Sequence, residues 1–125
     1  METDLVVSER DGVTVVRFHV ESLMGHDVEH LAAEVRGLID GGVRKLVLDF
    51  KHVRFAGSAV LGIVLSLAQA MNAVGGRIVL SHAEHIASLM KVTRAERMFT
   101  IVPDAQSAVA VQRSAFRRPL TPIAG

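Results

Sequence analysis

Residues 55 to 62 read Phe55-Ala56-Gly57-Ser58-Ala59-Val60-Leu61-Gly62. A strand-like run precedes this segment and a long helical pattern follows it, so Ser58 supplies a hydroxyl at the start of a helix. A helix N-terminus presents unpaired backbone N–H groups and a partial positive charge. A phosphoryl group attached to that hydroxyl would be held rather than repelled. Serine is also among the best N-cap residues, so a purely structural cap is the second reading of the same position.

A competing constellation is His26-Asp27-Val28-Glu29-His30, which fits the H-x-x-E-H pattern of some zinc peptidases and puts two imidazoles on one helical turn. His82 and His85 could be further ligands. The pattern is short, spacing fixes no third ligand, and a chain of this size has no second lobe to form a substrate cleft. Histidines four apart on a polar helix face need no metal, and no metal site is expected here. There is no glycine loop of Walker or Rossmann spacing, and Ser58 lacks the G-x-S-x-G context of a hydrolase nucleophile. A binding protein without cofactor is expected, not an enzyme.

The 125 residues suit one domain, with 50% apolar and 22% charged residues and five aromatics, all Phe. The absence of cysteine excludes disulfide, thiol-redox and Cys-zinc chemistry. Met1-Glu2-Thr3-Asp4 lacks the basic-then-apolar order of a signal peptide, which makes the cytoplasm the expected compartment. The net charge of +1 hides an asymmetry: residues 1 to 90 carry eight Lys/Arg against eleven Asp/Glu, and residues 91 to 125 carry six against two. Lys91, Arg94, Arg97, Arg113, Arg117 and Arg118 make up that surplus. With no Tyr or Trp among them to stack on bases, they read as solvated helix faces and a basic tail rather than a nucleic-acid footprint.

These residues need a frame. Leu5 to Arg10 and Val13 to Val20 are strand-like around Asp11-Gly12, a hairpin turn pair. Val28, Leu31, Ala32, Val35, Leu38 and Ile39 follow helical spacing from Asp27 to Asp40, and Gly41-Gly42 ends that helix. Lys45 to Phe50 and Arg77 to Leu80 read as short strands buried on both faces and joined by the helix from Ser58 to Val74, a right-handed crossover. Phe55 to Gly76 holds 22 consecutive uncharged residues, long enough to span a membrane. On a helical wheel, however, Ser58, Gly62, Ser66, Gln69 and Asn72 form one stripe opposite Val60, Ile63, Val64, Leu67, Met71 and Val74. The segment therefore reads as an amphipathic helix on a sheet, with no membrane span. Leu61 and Leu65 lie on the shoulder of the polar stripe, where they could meet a partner. Ser81-His82-Ala83-Glu84 reads as a capping box for a third helix carrying Ile86, Leu89 and Met90. Phe99 to Val102 reads as the last strand, and Pro103-Asp104 as the cap of a fourth helix through Val109, Val111 and Phe116. Residues 1–118 form the expected domain and 119–125 a tail.

Taken together, this order of elements resembles the STAS family, the domain of bacterial anti-sigma-factor antagonists. The carriers are Leu46-Val47-Leu48-Asp49-Phe50, Val53-Arg54-Phe55, the helix-initial serine followed by Leu61-Gly62, Gly75-Gly76 before Arg77-Ile78-Val79-Leu80, and the stretch from Met90 to Phe99. The resemblance implies a single α/β domain, a mixed sheet of four or five strands with about four helices packed mainly on one face. It also implies a partner, an anti-sigma factor that is a serine kinase. The antagonist captures it when unmodified and releases it once phosphorylated.

The family's acceptor motif, commonly Asp-Ser-Ser/Thr-Gly-Leu, aligns its first serine with Ser58. Gly57 stands where the family has a carboxylate, Ala59 where it has a second hydroxyl and Val60 where it has a glycine. The resemblance implies Ser58 as phosphoacceptor and Asp49, Gly57, Ser58, Leu61, Gly62 and Leu65 as the partner surface, in a monomer or weak homodimer. An unphosphorylated STAS scaffold or sensor module in a larger assembly is the alternative.

Overall fold

The computed structural model describes residues 4–24, 26–93 and 99–117. Strand β1 (Leu5–Arg10) and strand β2 (Val13–Phe18) pair antiparallel across Asp11 and Gly12, whose φ angles of 53° and 81° give the two-residue turn that matches strand twist. The register is unbroken, from Leu5 opposite Phe18 to Arg10 opposite Val13. Three parallel neighbours follow: β4 (Lys45–Asp49) beside β2, β6 (Arg77–Ser81) beside β4, and β7 (Thr100–Val102) beside β6. The result is a mixed five-stranded sheet in the order β1-β2-β4-β6-β7. Sequence reasoning extended the second strand to Val20; the ladder stops at Phe18.

Side chains alternate across this sheet, as strand geometry requires. Val16, Phe18, Leu46, Leu48, Ile78 and Leu80 face a core shared with helices α1 (His26–Asp40), α2 (Ser58–Ala73) and α3 (Glu84–Thr93). Val13, Val15, Val47 and Val79 face the other way, against Ala108 and Val109 of α4 (Ala105–Arg117). Three helices on one face and one on the other satisfy the expected arrangement. The parallel strands are apolar on both sides because both sides are covered.

Helix ends follow local chemistry. At the end of α2 the N–H of Gly76 donates to the Met71 carbonyl at 2.9 Å and that of Gly75 to the Asn72 carbonyl at 3.1 Å. Gly75 has φ +80°, which only glycine adopts without strain, so the helix closes in a Schellman motif. The expected cap of α4 is present: the Ser107 N–H donates to Asp104 Oδ1 at 2.7 Å. The expected capping box at 81–84 is not. Ser81 closes strand β6, opposite Asp49 of β4, and its hydroxyl donates to Asp49 Oδ1 at 3.0 Å, so it is unavailable to α3.

Two further strands were not foreseen. β3 (Ser22–Leu23) and β5 (Phe55–Ala56) pair in parallel as a separate two-residue ladder. Two residues carry no readable period, and only the pairing defines them. Residues 94–98 of the family-like stretch from Met90 to Phe99, the expected tail from Pro119 to Gly125, and the side chains of Leu89, Met90 and Phe116 lie outside the described residues.

Candidate functional site around Ser58

The β3–β5 ladder positions the segment carrying Ser58. The Arg54 and Phe55 N–H groups both donate to the Glu21 carbonyl, at 2.8 and 3.0 Å, and the Gly57 N–H donates to the Leu23 carbonyl at 3.2 Å. Gly57 is the N-cap of α2, in extended geometry with φ −85° and ψ 171°, and has no side chain with which to cap. Ser58 is thus the first helical residue rather than the cap, and its side chain is exposed. The Val60 N–H donates to the Gly57 carbonyl at 3.1 Å, and among the described residues no backbone carbonyl accepts from the amides of Ser58 and Ala59. An exposed hydroxyl at the positive end of a sixteen-residue helix suits an added anion.

The amphipathic reading of α2 holds along the helix, but the helix ends at Ala73: Val74, expected on the apolar stripe, is its C-cap and 44% exposed, and Ile63 is half-buried. Ser58, Gly62, Ser66, Gln69 and Asn72 are exposed, while Val60, Val64, Leu67 and Met71 are buried. A groove of about 280 Å³ runs along this face between α1 and α2, walled by Glu29, Arg36 and Ser66 and floored by Ala32, Ile63 and Leu67. Leu65 is half-buried. Leu61 does not join the surface: it is 8% exposed and part of the main core, so its place in the partner surface is corrected.

Asp49 is the second correction. The resemblance implies a place for it in the contact surface, but it is fully buried at the end of β4. Arg17 Nε donates to its Oδ2 at 2.7 Å, and the Ser81 hydroxyl takes its other oxygen. A buried carboxylate persists only when paired in this way, and its work is to fasten the ends of β2, β4 and β6 together.

Two exposed apolar side chains beside Ser58 were not singled out. Phe55 is 57% exposed and Met24 51% exposed. The pairing of Leu23 with Ala56 brings Met24 alongside Gly57, where a β-carbon would lie 3.7 Å from Met24 Cγ. Local spacing could not have found Met24, because only the short ladder brings it there.

The H-x-x-E-H constellation forms no comparable centre. His30 Nε2 lies 3.1 Å from Glu34 Oε2 on the exposed face of α1, and the side chains of His26 and His85 lie outside the described residues. Among the described residues no three His, Asp or Glu side chains converge on a metal position. Nor, among them, is any helix long and apolar enough to cross a membrane.

Comparison with known proteins decides what this scaffold is. The family model for the STAS domain matches residues 4–108. The chain belongs to the STAS domain family. BtrV of Bordetella bronchiseptica, which bears the name of an anti-sigma factor antagonist, is 28% identical over 93 residues, covering 74% of this chain and 80% of BtrV. An anti-sigma-factor antagonist (STAS) domain protein from Planctomyces limnophilus superposes with a TM-score of 0.77 at 19% identity, over 90% of this chain and 99% of that one. The Bacillus cell fate determinant SpoIIAA, in its phosphorylated form, gives 0.67 at 20% identity, over 86% and 98%. In this chain the STAS fold carries the exposed serine, the exposed Phe55 and Met24, and the α1–α2 groove.

Proposed function

We propose that this STAS domain is an anti-sigma factor antagonist that captures an anti-sigma serine kinase and is released from it when Ser58 is phosphorylated. The observation that carries this reading is the position of Ser58: exposed, first in α2, with the capping position already filled by Gly57. Phe55 and Met24 supply the apolar contact, and Gly57, Ser58, Gly62 and Leu65 the surface that a kinase must approach closely. A phosphoryl group carrying about −1.5 to −2 charges would make the centre of that surface anionic and bulky. Gly57 removes the family's carboxylate from beside the acceptor, so the added charge meets less repulsion here. The name of BtrV supports the pathway.

Incubation with ATP and the cognate kinase should add one phosphoryl group to the wild type and none to Ser58→Ala, read by intact-protein mass spectrometry. Ser58→Asp should weaken capture of the kinase, and Ser58→Ala should retain it. If the wild type accepts no phosphate and Ser58→Asp binds normally, the domain is an unmodified scaffold.

A further inference from the structure

We infer that β1 is a docking edge for a second copy of this chain, the two sheets joining antiparallel about a two-fold axis at Val7. The inference does not depend on phosphorylation of Ser58. β1 is one outer edge of the five-stranded sheet, six residues long, and its pairing with β2 has no bulge. The opposite edge, β7, has three residues. Edges of soluble proteins are usually blunted by proline, charged side chains (lysine above all), bulges or a covering element, and β1 has its charges, Glu9 and Arg10, only at its C-terminal end. The strand Leu5-Val6-Val7-Ser8-Glu9-Arg10 carries neither proline nor lysine, and every residue after Leu5 is exposed, with Val6 at 44% and Val7 at 46%.

The hydrogen-bonding parity of this edge is fixed. Arg10 and Val13 flank the two-residue turn, so they form a pair that exchanges both backbone bonds, and such pairs recur every second residue. Beyond the strand the same parity holds, because the His19 N–H donates to the Asp4 carbonyl at 2.7 Å. The backbone groups of Asp4, Val6, Ser8 and Arg10 are thus turned towards β2, and those of Leu5, Val7 and Glu9 point out of the sheet.

Only registers that match outward residues with outward residues can form. An axis at Val7 puts Val7 opposite its own copy, Leu5 opposite Glu9, and the exposed Asp4 opposite the exposed Arg10 at both ends. Axes at Val6 and Ser8 are also allowed by parity; the one at Val6 joins Val6 to its own copy and Leu5 to Val7 but sets Asp4 against Ser8, and the one at Ser8 sets Val7 against Glu9 and Leu5 against Asp11. The Val7 register alone joins apolar to apolar at the centre and opposite charges at the rim.

Sedimentation velocity over about three decades of protein concentration tests the inference, and dimer should accumulate as concentration rises. Val7→Lys sets two ammonium groups face to face on the axis and should weaken association about tenfold or more. Asp4→Arg should also weaken it, and the double exchange Asp4→Arg with Arg10→Asp should restore it. In the wild type the amides of Leu5, Val7 and Glu9 should gain exchange protection with concentration, while those of Val6 and Ser8 are protected throughout. A chain monomeric at every concentration, association unchanged by Val7→Lys, or protection without this alternation would each overturn the inference. Circular dichroism melts separate lost pairing from lost folding, and the wild-type exchange pattern decides the matter should a variant fail to fold.

Discussion

Gly62 lies inside α2, exposed, where an added β-carbon would meet nothing within 4 Å. The fold gains nothing from glycine there, and the helix loses about 0.5–1 kcal/mol relative to alanine. A close approach from outside gives a reason for it. Gly62→Ala should therefore raise stability by about 0.5–1 kcal/mol in urea titrations and, under the proposed function, weaken capture of the kinase; unchanged capture would remove Gly62 from the proposed contact surface. Asp49→Ala separates fold from function in the opposite sense. It strands the buried Ser81 hydroxyl and frees Arg17, but the Arg17 side chain is 32% exposed and recovers part of its hydration. The cost should be about 2–3 kcal/mol rather than the full loss of a buried pair, with capture intact wherever the variant is folded. Ser58, Gly62 and Val60 were legible because the 3.6-residue period of α2 sorts them locally. Asp49 was not, because a strand-end carboxylate reads as exposed until Arg17 and Ser81 are brought to it by strands 32 residues away in either direction.

Helix caps show the same contrast between elements. Both Ser81-His82-Ala83-Glu84 and Pro103-Asp104 read as helix caps; a helix follows each, but only Asp104 caps the helix that follows it. Asp104 follows β7 and turns its carboxylate back on Ser107, whereas Ser81 is held within β6 by the β4 ladder. Local capping chemistry wins only where no strand competes for the same residue. Asp104 is the titratable half of that comparison. The Ser107 N–H bond, the Ser107 hydroxyl and the attraction of His82 together hold its carboxyl below the ordinary value of 3.8. Because the folded value is the lower one, the carboxylate stabilises the fold above 3.8, and that contribution fades as pH falls through the folded value. Asp104→Asn keeps a capping oxygen but cannot titrate. Melting temperatures followed from about pH 6 to about pH 2 should converge for the two proteins at the acid end, and curves that stay parallel would show that the cap does not sense pH.

At the scale of the whole molecule the two sides of the sheet are unequal. The α1–α2–α3 side buries large side chains such as Leu46, Leu48, Leu80, Met71 and Ile86. The α4 side relies on Val13, Val15, Val47 and Val79 against Ala108 and Val109. The strand alternation that creates both faces could be read from Lys45–Asp49 and Arg77–Ser81, but which helix covers which face could not, since amphipathic helices of similar length differ little in pattern. Smaller side chains bury less area and contribute less to docking, so α4 is held in part by polar contacts. Gln112, fully buried, donates through Nε2 to the carbonyls of Leu46 and Arg77, each at 2.8 Å, and ties α4 to β4 and β6. Its Oε1 has no partner among the described residues, which offsets part of that gain. Under native conditions α4 should therefore open as a unit before the rest of the domain, its amides exchanging through a lower free-energy gap than those of α2 or β4. Gln112→Ala should lower that gap by about 2 kcal/mol, speeding exchange in α4 about thirtyfold and leaving α1 and α2 governed by global unfolding. Hydrogen exchange followed by NMR distinguishes the outcomes: acceleration confined to α4 identifies it as a separable layer, and equal acceleration in every element would make it part of one cooperative unit.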